Sequence, residues 1–210
     1  MKVLDLGCGW GSLSLYLAKK YPGCKITSVS HSKTQRKFIL EKADSAQLKN
    51  IQVITQDVNN LSLKDKYDVI ISIELFEHLH NYKKILNKLS SYLNHNGKIF
   101  IHHFCHKNLN YTFDGDNSWM AKYFFESGKM LSYDFLPKLD LENITLEKSW
   151  KVNGKNYGKT CYLWEKNLDN NISEILKVFK LHYGSTKSAL KWILYWQLFI
   201  LACMELFNYN

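Results

Sequence analysis

Two carboxylates and an imidazole, Glu74, Glu77 and His78, fall within five positions of one another in the stretch Ser72-Ile73-Glu74-Leu75-Phe76-Glu77-His78-Leu79-His80-Asn81-Tyr82. A carboxylate can fix the tautomer of an imidazole that titrates near neutrality, so this group can orient an amine and accept its proton. A lone histidine after a strand is ordinarily a capping or packing residue; the two acids favour the functional reading. A second polar knot is Ile101-His102-His103-Phe104-Cys105-His106. Its three histidines raise a metal site, but adjacent strand residues point to opposite faces and no acidic fourth ligand lies nearby in sequence. No metal is expected. His102, His103 and Phe104, with Tyr82, are expected to line a pocket for the reaction's acceptor, or the histidine knot simply to order its loop.

The third group opens the chain, where Asp5 precedes Gly7, Gly9 and Gly11. Glycines at a strand-to-helix turn let the backbone approach a ligand, and the turn brings helix-start amides beside it. The pyrophosphate pattern for nicotinamide cofactors is G-x-G-x-x-G, with an acid ending the second strand. Here the spacing is G-x-G-x-G and the acid comes first, which suits a ligand whose nearby part is cationic or a donor. S-adenosylmethionine, through its amino group, therefore outranks NAD. The end of the second strand reads Val29-Ser30-His31-Ser32-Lys33-Thr34-Gln35, without an acid. Ser30 and Gln35 are candidates for ribose hydroxyls, while Ser32 serves equally well as a helix cap. Asp57, after the third strand, can accept from an adenine amine or form a turn.

The elements that must position these groups follow from hydropathy. Lys2–Leu6 is a short apolar run before the glycine turn, followed by Leu13, Leu15, Leu17 and Ala18 at helical spacing until Pro22-Gly23. Strands are predicted at Lys25–Ser30, Ile51–Thr55, Tyr67–Ile73 and Lys98–Phe104, with helices from Ser32 to about Leu48 and over Tyr82–Leu93. Five β/α alternations predict an α/β fold with a doubly wound, mostly parallel sheet. Residues 107–141 read as an inserted, aromatic-studded cover, Ile144–Val152 as a strand, and Thr160–Tyr183 and Thr186–Phe207 as two helices. The 210 residues are read as a single domain, with a cofactor-binding α/β core over 1–106 and an acceptor-covering segment over 107–210.

Composition narrows the function classes. With 46% apolar residues and two prolines the chain is globular rather than disordered. The net charge of +9 is almost all lysine, with Arg36 the sole arginine, which argues against base readout of nucleic acid. Five scattered cysteines without C-x-x-C, and an N-terminus without a secretion signal, suggest a reducing, cytoplasmic setting. The apolar stretch Ala189–Phe207 contains Lys191, Gln197 and Glu205 and is expected to be a buried amphipathic helix rather than a membrane span.

The segments VLDLGCGWGSLSLYLAKKYP, ISIELFEHLHNY, IFIHHFCHK and WMAKYFFESGKM together resemble the coclaurine N-methyltransferase family, within the cyclopropane-fatty-acyl-phospholipid synthase group of class I S-adenosylmethionine-dependent enzymes. The resemblance implies a Rossmann-like fold in which Asp5, Gly7, Gly9 and Gly11 line the methionine side of S-adenosylmethionine, and Ser30, Gln35, Asp57 and Val58 surround its ribose and adenine. It implies that Glu74, Glu77 and His78 face the acceptor, with His78, aided by Glu77, as base. Cyclopropane synthases use the carboxylate matching Glu77 in a bicarbonate site together with a histidine matching His102. Phe104 stands where their isoleucine is expected, a departure that favours amine methylation over alkene chemistry.

The expected reaction is in-line attack of a small aromatic or alkaloid-like amine on the sulfonium methyl. Lipid modification, with peripheral contact between the basic chain and an anionic bilayer, is the second reading, and an inactive cofactor-binding protein is the third. Against the family pattern, the chain is expected to be incomplete at both ends, lacking a helical lead-in before the glycine motif and a final strand. The sequence leaves the oligomeric state open.

Overall fold

The computed structural model describes residues 1–113, 119–126 and 128–209. Residues 1–147 and 148–210 form two compact units; Ser127, inside one of the family-like segments, and Asn210 lie outside the described residues.

In the first unit, strands β1 (Lys2–Leu6), β2 (Lys25–Ser30), β3 (Ile51–Thr55), β4 (Tyr67–Ile73) and β5 (Leu93–His102) pair in the order β3-β2-β1-β4-β5, every pairing parallel. The chain runs outward from β1 through β2 to β3 and then returns to place β4 on the other side of β1. That reversal opens a crevice beyond the carboxyl ends of β1 and β4, where open α/β sheets bind ligands. Helices α1 (Ser12–Lys20), α2 (Lys33–Ser45) and α3 (Tyr82–Ser91) make three of the four crossovers, and a loop with the 3-10 turn Val58–Asn60 joins β3 to β4. One sheet face buries Leu4, Leu6 and Ile70 with Leu86 and Leu89 of α3, and the other packs Val3 and Ile26 against Ala18 of α1.

Strand β5 begins five residues earlier and ends two earlier than predicted. Its register with β4 shifts between Tyr67 and Val69, where Asn96 takes φ +61° and a side chain on Gly97 would meet the carbonyls of Tyr67 and Asn94 at 3.0 Å. This bulge lets polar residues 94–97 extend the strand. His103 consequently lies beyond β5, so strand alternation does not govern its direction relative to His102.

The cover carries a small sheet that the sequence reading missed: β6 (Cys105–His106), β7 (Tyr111–Thr112) and β8 (Lys129–Ser132), ordered β6-β8-β7, with the short helix α4 (Trp119–Tyr123). Two-residue strands are too short for periodicity to register. The strand predicted over Ile144–Val152 does not form. Its alternation is anchored instead by side chains, Ile144 packing on the core and Glu147 pairing with Lys98.

The second unit holds α5 (Lys155–Asn170), α6 (Ile172–Tyr183) and α7 (Thr186–Asn208). The helix expected over Thr160–Tyr183 is therefore two, broken at Asn171 (φ −119°), whose side chain turns back to the Asn167 carbonyl. Gly184 closes α6 at φ +78°, and the Ser185 hydroxyl caps α7 by accepting from the Ser188 amide. Helix α7 forms as predicted but is not buried. Only Ala189, Ile193 and Ile200 are enclosed, while Leu190, Leu194, Leu198 and Leu201 are exposed along one side. Apolar residues run all round the helix, so covering one side leaves another bare. By length and composition alone it could cross a membrane.

Candidate active site

The glycine turn leaves β1 with three positive φ values, +80° at Gly7, +53° at Gly9 and +81° at Gly11. The amides of Gly7 and Cys8 both donate to the Val29 carbonyl, each at 3.0 Å, which ties the turn to the end of β2. The three glycines have different reasons to lack a side chain. A Cβ on Gly7 would press on Leu75 and one on Gly11 would collide with Ile39 at 2.6 Å, whereas one on Gly9 meets nothing within 4 Å among the described residues. Gly9 is therefore the point where the backbone lies open to a ligand.

Asp5 is almost fully buried beneath this turn. The Ser14 hydroxyl donates to its carboxylate, and the Ser28 hydroxyl donates to Ser14 at 2.7 Å. Burial raises the Asp5 pKa and the Ser14 hydrogen bond opposes the rise. No basic side chain pairs with Asp5 among the described residues, so the acid remains complementary to a cationic or amine-bearing group. The same burial, with the Asp5 charge adding to it, pushes the Cys8 thiol up to about 12 and keeps it uncharged. Ser14 and Ser28 escaped the sequence reading. A serine inside the apolar strand Lys25–Ser30 was the available signal, since a buried hydroxyl requires a partner.

Ser30 and Gln35 meet at the end of β2. The Ser30 hydroxyl donates to Gln35 Oε1 at 2.5 Å and accepts from the Ser32 amide, while Ser32 caps α2 by accepting from the Gln35 amide. Both readings of this segment thus occupy one small network. Asp57 Oδ1 accepts from the amide and the side chain of Asn59, so it forms the turn, and Val58 packs on the core. All four residues stand at the carboxyl edge of the sheet, as does the glycine turn.

Beyond β4 the chain makes a tight 3-10 turn over Phe76–His78. Glu74 takes φ +52° and grips the end of β5 twice: its amide donates to the His102 carbonyl at 2.9 Å, and its Oε1 accepts from His102 Nδ1 at 2.8 Å. That bond places a proton on Nδ1, so that in the neutral imidazole Nε2 is the acceptor. Burial raises the Glu74 pKa against the opposing pull of His102. Both side chains remain 44% exposed, so the pair is open to a substrate.

Glu77 points the other way. Its side chain is completely buried, Oε1 accepts from the Phe104 amide at 2.9 Å, and Oε2 has no partner among the described residues. Burial, reinforced by the Glu74 charge, pushes it up to about 8. It clamps the turn after β5, and no hydrogen bond joins it to His78 among the described residues. The His78 ring instead lies 4.8 Å from Phe125, which is 5.6 Å from Phe104, and burial lowers the His78 pKa. His103 is also lowered by burial; its Nδ1 donates to the Phe104 carbonyl at 2.8 Å, leaving Nε2 as an acceptor. His106 Nδ1 accepts from the amides of Asn108 and Leu109 and orders its loop. Tyr82 is buried among Phe76 and Phe135.

The structure thus brings Glu74 and His102 into one pair, and His78, Phe104 and Phe125 into one aromatic wall. Phe125, supplied by the cover, is one of the aromatics after residue 106 that the sequence offered as a wall for a flat or cationic substrate.

The chain is 35% identical over 211 residues to pavine N-methyltransferase of Thalictrum flavum subsp. glaucum, a match spanning 99% of this chain and 59% of that protein. It is 32% identical to (S)-coclaurine N-methyltransferase of Papaver somniferum, across 99% of this chain and 60% of the relative. A crystal structure of coclaurine N-methyltransferase bound to N-methylheliamine and SAH superimposes with a TM-score of 0.94 at 35% identity, covering all of this chain and 62% of that one. The chain therefore spans about three fifths of the length of these relatives. The family model for mycolic acid cyclopropane synthetase matches residues 1–210, and with that match over its whole length the chain belongs to this family.

Proposed function

We propose that the protein is an S-adenosylmethionine-dependent methyltransferase that methylates the nitrogen of a small aromatic or alkaloid-like amine. The observation that carries this reading is the buried, cation-free Asp5 beneath an open glycine turn, set across the sheet crevice from the half-exposed Glu74–His102 pair. Its agreement with a relative crystallised with SAH and an N-methylated amine supports the choice of chemistry.

S-adenosylmethionine, when bound, supplies a methyl carbon made electrophilic by its sulfonium. The chain's own residues do the rest. Asp5, held by Ser14 and Ser28, offers a negative partner for an amino group, and Gly9 lets the backbone close on the ligand. Ser30 and Gln35 offer a hydroxyl and an amide for a ribose. Holding donor and acceptor in line lowers the barrier by about 7–11 kcal/mol relative to free encounter.

An ammonium has no lone pair and cannot attack, so the acceptor must arrive as, or become, a free amine. His102, oriented by Glu74 and presenting Nε2, is the better-formed base, because a carboxylate that fixes the other nitrogen stabilises the imidazolium it becomes. His78, kept uncharged by burial, offers a second acceptor on the aromatic wall. Phe104 and Phe125 can stack on a flat amine and on the charge of its methylated product.

The family description favours a second reading, modification of a lipid, and the exposed leucines of α7 are compatible with contact at a bilayer. Incubating the protein with methyl-labelled S-adenosylmethionine, a panel of secondary amines and phospholipid vesicles separates the two. Label in the amine pool supports the proposal, label in lipid supports the second reading, and label in neither removes both.

A further inference from the structure

Opposite the enclosed residues Ala189, Ile193 and Ile200, the open side of α7 carries Lys187, Lys191, Leu194, Leu198, Leu201 and Glu205, every one of them exposed. These six succeed one another by alternating steps of four and three residues. That spacing is the seam of a coiled coil, a stripe repeating every 3.5 residues, here along about 27 Å of helix. Its leucines are 58%, 54% and 36% exposed in chain order, and Leu190 borders them at 46%. A row of bare leucines at this spacing is shaped to pack on a second helix. The helix that presents it is braced from behind, since Gln197 donates to Asp169 of α5 at 2.7 Å and Phe207 meets Tyr157 of α5 with ring centres 4.7 Å apart.

The charges specify the second helix. Read along the chain the stripe is Lys, Lys, Leu, Leu, Leu, Glu, cationic at its amino end and acidic at its carboxyl end. Neither Lys187 nor Glu205 takes part in an ion pair among the described residues. Turned end for end about a two-fold axis level with position 196, the stripe complements itself. Lys187 then meets Glu205 of the partner subunit, Lys191 lays its aliphatic stem on the partner's Leu201, and Leu194 packs on the partner's Leu198. The same three layers recur beyond the axis. A parallel pairing would instead set lysine on lysine and glutamate on glutamate. An anionic bilayer would draw the two lysines but repel the acid at the other end of the same stripe.

We infer that the chain pairs with a second copy of itself through the exposed seam of α7, the two helices antiparallel and their ends joined by reciprocal Lys187–Glu205 ion pairs. The inference is independent of the reaction proposed above.

The test is sedimentation velocity of the full 210-residue chain from about 1 to about 100 µM, where a specific pair of this kind should pass from monomer to dimer. Glu205→Lys should weaken the dimer at least about tenfold, because symmetry places the new repulsion in the interface twice. Lys187→Glu should do the same, and the double variant Lys187→Glu with Glu205→Lys should restore native pairing. Leu194→Asp should leave only monomer. All these positions are exposed, so circular dichroism should show the native fold in each variant. A native chain that stays monomeric at about 100 µM overturns the inference. So does a dimer indifferent to Glu205→Lys, which a parallel seam or another surface would give, and so does a double variant that fails to recover. Co-sedimentation of a monomer with phosphatidylserine vesicles, lost in Leu194→Asp, would assign the stripe to a bilayer and overturn it as well. None of these measurements needs methyl transfer, so an inactive chain would count against the proposed function alone.

Discussion

Replacing Glu77 by glutamine should stabilise the protein, increasingly so as the pH rises. The carboxyl ordinarily titrates at 4.5, and its buried position pushes it up to about 8. A carboxyl raised on folding favours the folded state in its protonated form, so the folded protein is least penalised below pH 4.5. Stability is then lost as the pH climbs from 4.5 through about 8. Each pH unit in that window costs about 1.4 kcal/mol. The native chain should therefore lose about 3 kcal/mol by pH 7 and about 5 kcal/mol above pH 8 from this one group. Glutamine is nearly the same shape and cannot ionise. Its carbonyl can still accept from the Phe104 amide, and its NH₂ replaces the oxygen that faces no partner. Urea melts of both chains at unit steps from pH 5 to pH 9 isolate the effect, because contributions from other groups cancel in the difference. The two stability curves should nearly meet at pH 5 and diverge by about 3 kcal/mol at pH 7. Parallel curves would mean that Glu77 is solvated or already neutralised, and the account of a buried, one-armed carboxyl would fail.

Substitutions in the glycine turn should separate packing from binding. Gly11→Ala adds strain at φ +81° to a collision with Ile39 and should cost about 2–4 kcal/mol in denaturant melts, whereas Gly9→Ala, with open space around it, should cost about 1 kcal/mol. Calorimetry should nevertheless find S-adenosylmethionine affinity reduced at least about tenfold in Gly9→Ala if the backbone closes on the ligand there; full affinity would place the ligand elsewhere. Ser14→Ala removes the donor to Asp5 and should cost about 1–3 kcal/mol while weakening cofactor binding, and a melt identical to the native chain would deny the network any weight. His102→Ala should lower kcat by about 10²–10⁴-fold with cofactor affinity nearly unchanged, and by more than His78→Ala does. The reverse order in rapid-quench assays would return the role of base to His78.

How much of this was legible beforehand depends on where each element takes its stability. The first four strands were placed to the residue because each is a short apolar run bounded by turn-forming residues, with β1 and β2 almost wholly buried and β3 and β4 partly so. Strand β5 was misjudged at its start because Leu93–Gly97 joins the sheet through a bulge, and a bulge is fixed by the partner strand rather than by its own periodicity. The break at Asn171 rests on a single φ value and a side-chain bond to Asn167, with no glycine or proline to announce it. In the candidate site, the spacing Glu74-x-x-Glu77-His78 set three residues in one loop beyond β4 without revealing which way each side chain turns. Three residues of a 3-10 turn rotate Glu77 into the core and send His78 towards Phe125, while Glu74, just before the turn, reaches across to β5. Pairing Glu77 with His78 followed from the family resemblance as well as from adjacency, but neighbouring residues of such a turn diverge.

Glu74 also shows why the tip of β4 is held so firmly. A glutamate at φ +52° occupies a region that non-glycine residues seldom enter, at a cost of about 1–3 kcal/mol. Glycine would relieve that strain and still donate its amide to the His102 carbonyl; what it could not do is present a carboxylate to His102 Nδ1. The strain is thus tied to the one contribution that only the side chain makes. The neighbouring acid is handled in the opposite way: Glu77 has a relaxed backbone but carries its cost in burial, which keeps it protonated near neutral pH. Two carboxylates three residues apart would repel each other if both were charged. Burying Glu77 so that it stays neutral relieves that repulsion and leaves the half-exposed Glu74 to pair with His102, on the side where the imidazole can act as a base.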